Sequence, residues 1–74
     1  MRVQKTFTVN TGAAVADEIV GAPFDVWHGQ VSDVARQTGD NLQHHKIIVI
    51  EAATGATHVV QSSAIVSVRI DVLT

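Results

Sequence analysis

Residues 46–72 constrain the fold more than any other part of the chain. Lys46-Ile47-Ile48-Val49-Ile50-Glu51-Ala52-Ala53 leads into Thr54-Gly55, then Thr57-His58-Val59-Val60-Gln61, then an alternating run from Ala64 to Val72. In that run Ala64, Val66, Val68, Ile70 and Val72 share one face, with Ile65, Ser67, Arg69 and Asp71 on the other. Side chains alternate along a strand, so the pattern predicts a strand with one face in a core and one in water. The unbroken Ile47-Ile48-Val49-Ile50 leaves no polar face and predicts a strand covered on both sides. Thr54-Gly55 is the turn between the two segments.

The preceding residues are shorter signals. Residues 2–9 alternate, with Val3, Phe7 and Val9 opposite Arg2, Gln4, Thr6 and Thr8, while Lys5 interrupts the apolar face. That predicts an edge strand, where a charge discourages unwanted pairing. Asn10-Thr11-Gly12 marks a turn. Ala13–Val20 supports two readings. Val15, Ala16, Ile19 and Val20 make an i, i+4 patch suited to a short helix, and a strand through Glu18–Val20 is the alternative. Gly21 and Pro23 end the segment in either case. Phe24, Val26 and His28 alternate with Asp25 and Trp27, predicting a strand that bends at Gly29 and continues through Gln30–Arg36. Thr38-Gly39-Asp40-Asn41 has loop chemistry, and Leu42-Gln43-His44-His45 leads into the strand at Lys46. The expected fold is a single all-β domain, residues 1–74, with one short helix and five short strands closed as a small barrel.

Size argues for self-association. A 74-residue chain buries only roughly 60% of its unfolded surface. There is no cysteine to add a disulfide or a thiolate metal site, yet 46% of the residues are apolar. An interface shared between copies would bury that excess, so a homo-oligomer is expected. Arg2, Lys5, Arg36, Lys46 and Arg69 are scattered and the net charge is −2, which argues against strong non-specific attraction to a phosphate backbone. No apolar run approaches the ~20 residues of a membrane span. The start of the chain alternates in polarity, unlike a signal peptide, so a cytoplasmic protein is the expectation.

The order of segments resembles a known family. Gly29-Gln30-Val31 at a bend, the strand Lys46-Ile47-Ile48-Val49-Ile50, and His58-Val59-Val60-Gln61-Ser62-Ser63-Ala64-Ile65-Val66-Ser67-Val68 look like the second half of an Sm-like (Lsm) barrel. The Hfq branch has a comparable Gly-Gln-Ile bend and an Ala-Ile-Ser turn between its last two strands. The resemblance spans residues 29–70 and rests mainly on Gly29 and Gln61–Ser67. It implies a five-stranded SH3-like/Sm-like barrel, a ring of identical subunits joined through the edge strand at Thr57–Gln61, and contact with single-stranded RNA around a pore. Two departures stand out. Ser62 and Ser63 occupy the positions of the family's Lys-His pair, and a strand precedes the short helix here.

Chemistry-bearing residues are few. His28, His44, His45 and His58 show no His-x-His or thiolate spacing, and adjacent histidines on a strand point apart, so no metal site is expected. Ser62 and Ser63 lie near His58 without a nucleophile elbow, and the glycines are isolated. Neither an enzyme signature nor a cofactor motif is present. Trp27 projects opposite Phe24 and Val26 and is expected to anchor an interface, together with Thr57, Val59 and Gln61. A nucleic-acid strand would lie over Gln61, Ser62, Ser63, Lys46, His44 and His45, where a lysine gathers with histidines. Two functions follow: a ring-forming protein that binds single-stranded RNA, or a structural or adaptor assembly of phage or mobile-element type with no nucleic-acid role.

Overall fold

The central element is the first strand. In the computed structural model, which describes residues 1–27 and 29–74, β1 (Arg2–Val9) pairs on one side with β2 (Asp17–Val20) and β3 (Phe24–Asp25). On its other side it pairs along its whole length with β6 (Ile65–Val72). All these pairings are antiparallel. A separate antiparallel hairpin joins β4 (Ile47–Glu51) to β5 (Thr57–Gln61) through the turn at Gly55, whose φ of 91° only glycine adopts readily. A 3-10 turn, Ser62–Ala64, carries the chain from β5 into β6.

β1 is therefore no edge strand. Its inward row is Val3, Lys5, Phe7 and Val9, so the lysine expected to guard an edge instead sits half-buried in the middle of the core face. Phe7 and Val9 with Ile50 form the core, packed by Ile19, Ile48, Val60, Ala64, Ile65 and Val68. Six strands, not five, occur among the described residues, and the two sheets do not close into a barrel. What joins them is short. Gly21 bridges Ala52, Ala22 N–H donates to the Glu51 carbonyl, and Ala53 N–H donates to the Val20 carbonyl.

Of the two readings of residues 13–20 the strand holds, and one expected strand is instead a helix. Residues 17–20 are β2, with Ile19 opposite Phe7, because the central strand offers a ladder and only Ile19 finds the core. Residues 31–44, expected as strand and loop, are the helix α1 (Val31–His44). Its inner stripe is buried Thr38 with half-buried Val31, Val34 and Leu42, beside exposed Ala35, the i, i+3, i+4, i+7 spacing of a helix face. Thr38 tolerates burial because its hydroxyl donates to the Val34 carbonyl at 2.8 Å. Asp33 in the first turn and His44 in the last suit the helix dipole. The strand expected from Phe24 stops at Asp25, and His28 lies outside the described residues. Gly29 has φ of 90° and serves the turn into α1 instead of a strand bend.

β6 begins and runs as expected, but its faces switch once. The register with β1 slips between Thr8 and Val9, so Ile65 opposes Val9 while Val68 opposes Phe7. Two residues of β6 must then fit against one step of β1, which is a β-bulge. Val66 is the casualty: expected inward, it is 66% exposed. Beyond the bulge Val68 and Ile70 face inward as expected. The β4 strand is covered on one side only, since Ile48 and Ile50 face the core while Ile47 and Val49 are 52% and 61% exposed. No helix is long and apolar enough to cross a membrane among the described residues.

Candidate functional site

Hairpin register builds the first candidate. Ile47 stands opposite Gln61, and one step outward the Ser62 N–H donates to the Lys46 carbonyl at 2.8 Å. Lys46, Ile47, Gln61, Ser62 and Ser63 thereby line one shallow groove of about 400 Å³ at the open end of the hairpin. A cation, an amide and two hydroxyls meet there, with the exposed side of Ile47 as an apolar floor. The two histidines do not join them. His44 closes the last turn of α1, its Nδ1 2.8 Å from the Asp40 carbonyl, and His45 lines a different cavity. The helix C-terminus was not expected there, so the departure of both histidines from the groove was not either.

Which edges are free follows from the same ladder. Hydrogen bonds from Ser62 N–H to Lys46 and from Ala52 N–H to Ala56 bracket it at both ends. Antiparallel pairs alternate between bonded and non-bonded, so the non-bonded pairs are Ile47–Gln61, Val49–Val59 and Glu51–Thr57. The backbone groups of Thr57, Val59 and Gln61 therefore point away from β4 along an open edge. Side chains add to this surface: Val59, 69% exposed, stands opposite exposed Val49 beside exposed Ile47. β6 likewise pairs on one side only, with Val66 and Val72 exposed. Trp27, 80% exposed, lies in the loop before α1, where its N–H donates to Gln30 Oε1 and its carbonyl accepts the Gln30 N–H.

No protein-family model, curated protein or solved structure matches the chain. The reading of the site rests on its own chemistry.

The second candidate was legible as a residue and misread as a role. Lys5 projects from the inward face of β1 opposite Ile70, and its Nζ lies 5.6 Å from the centroid of the Phe24 ring. No carboxylate pairs with it among the described residues. Burial holds its ammonium below the ordinary lysine range. A folded-state pKa below the unfolded one makes the charged lysine a cost at neutral pH. That cost fades as the pH rises from the lowered folded value towards the unfolded one. Histidines and carboxylates do not gather in any group of three or more among the described residues.

Proposed function

We propose that the chain is a homo-oligomeric assembly module, in which β5 of one copy pairs with β6 of the next to close a ring of the Sm-like kind. The two free edges carry this reading. They lie at opposite ends of the strand series β5, β4, β2, β1, β6, and each exposes unpaired backbone groups beside apolar side chains. Two different edges meeting head to tail make a heterologous contact, which closes into a ring when the rotation permits. Pairing removes both edges at once, and free edges are a liability that folded proteins rarely leave uncovered. Trp27 supplies a rigid aromatic anchor for the same interface, and the cytoplasm is the compartment we assign to the assembly. Light scattering in solution tests the proposal: a mass of several chains is the expected result, and a monomer at high micromolar concentration overturns it.

The groove at the hairpin mouth favours a second activity of that ring, binding of single-stranded RNA. Gln61, Ser62 and Ser63 supply base-reading donors and acceptors, and Lys46 supplies a phosphate contact. One lysine per copy keeps affinity low and salt-sensitive, while symmetry repeats it around the ring. Lys46→Ala is expected to weaken binding about equally for oligo-U and oligo-A and to flatten the salt slope. Gln61→Ala is expected to change the preference between them. Fluorescence anisotropy at low salt reads both. No binding by the intact oligomer at high micromolar concentration leaves the structural or adaptor role, of phage or mobile-element type, as the function of the assembly.

A further inference from the structure

Between the inward face of β1, the outer edge of β4 and the end of α1 lies a cavity of about 270 Å³. Lys5 and Phe7 line it from β1, Ile47–Val49 from β4, and Thr38, Asn41 and Leu42 from α1, with His45 just beyond the helix. We propose that this cavity binds a small carboxylate with a flat apolar body, the Lys5 ammonium meeting the carboxylate.

The first argument is the placement of the charge. Lysine is seldom buried without a partner, because removing its charge from water is costly. Lys5 occupies the core-facing row of the central strand between Val3 and Phe7, and Phe24 alone partly offsets the loss of water through its ring face. A neighbouring depression, lined by Phe24, Gly21, Ala22 and Glu51, shares Lys5, Phe7 and Val49 with the cavity, so Lys5 borders both.

By the ladder alternation, the N–H groups of Ile47 and Val49 point to the edge of β4 opposite β5. That edge faces the first sheet, since at its far end the Glu51 carbonyl accepts the Ala22 N–H. Further along, where β2 has ended, neither Ile47 N–H nor Val49 N–H has a protein acceptor among the described residues. The cavity therefore presents a cation and a pair of backbone donors with no protein acceptor beside a wall of Phe7, Leu42 and Ile48. A planar monoanion suits that donor set, one oxygen on the ammonium and the other on a backbone N–H. A phosphate dianion suits it poorly, because the wall holds a single permanent cation. Drug-sized ligands fill roughly 300–1,000 Å³, so this space takes something smaller.

Benzoate, with benzamide as the uncharged control, titrated into the full chain under 1H–15N correlation spectroscopy, tests the proposal. Benzoate is expected to shift the amides of Ile47 and Val49 and to saturate in roughly the millimolar range. Benzamide is expected to leave them unmoved. Lys5→Met keeps the length and apolar stem of the side chain, and is expected to weaken benzoate about tenfold or more. Absence of benzoate shifts at tens of millimolar, equal response to benzamide, or undiminished binding by Lys5→Met would each overturn the proposal. If the variant fails to fold, the benzoate and benzamide comparison on the natural chain decides.

Discussion

Val68→Asp is expected to unfold the domain. Val68 stands opposite Phe7 in the longest strand pairing of the molecule and packs against the core formed with Val9 and Ile50. From above it meets the small-residue stripe of α1, where Ala35, Thr38, Gly39 and Leu42 share a cavity with Val68 and Ile70. A carboxylate here loses water and gains no donor. The nearest cation on that face is Lys5, one diagonal step along the pairing with Ile70, and its ammonium is turned to the Phe24 ring. Domains of this size hold only about 0.05–0.15 kcal/mol of stability per residue, so one uncompensated charge on the half-buried core face of β6 is enough to abolish the transition. Loss of cooperative thermal unfolding by circular dichroism is the expected result. Ser67→Asp, on the solvent side of the same strand, is the control and should melt close to the natural chain. A Val68→Asp protein that still melts cooperatively would show that this face of β6 is not the inward one.

The sequence patterns that proved informative were those whose partner lay close by in the chain. The β4–β5 hairpin was legible because the turn at Thr54-Gly55 sets the register that puts Lys46 beside Ser62 and Ile47 opposite Gln61. So was β6, up to the bulge that turns Val66 outward, which depends on how β1 ends. The helix α1 was hidden by its own composition. Val31, Val34 and Thr38 are β-branched, and Thr38-Gly39-Asp40-Asn41 has the chemistry of a turn. The spacing of Val31, Val34, Ala35, Thr38 and Leu42 was the signal that outweighed propensity, because burial of that stripe decides the outcome. Strand order was beyond reach locally. Whether residues 2–9 sit at an edge or at the centre depends on β6, more than fifty positions away, and the role of Lys5 changes completely with that answer. Both candidate sites follow this division: the hairpin groove was foreseen apart from His44 and His45, and the Lys5 cavity was not.

Val59→Pro is expected to release monomers while leaving each copy folded. The ladder alternation gives the reason. Val59 belongs to a non-bonded pair with Val49, so its N–H points outward and contributes nothing to the bond pattern with β4. Proline at this position removes an edge donor and sets its ring against any strand approaching from outside, and proline is tolerated on edge strands for this reason. A neighbour's β6 would lose a central hydrogen bond and meet the ring, a double loss at one point of the contact. Val60→Pro is the contrasting variant. Its N–H lies on the β4 side by the same alternation, so it should break the hairpin and lower the melting temperature clearly. Light scattering and thermal melting together separate the outcomes. Monomeric, folded Val59→Pro beside unstable Val60→Pro is the pattern that edge pairing through β5 requires. An unchanged oligomer in folded Val59→Pro protein would move the interface off this edge.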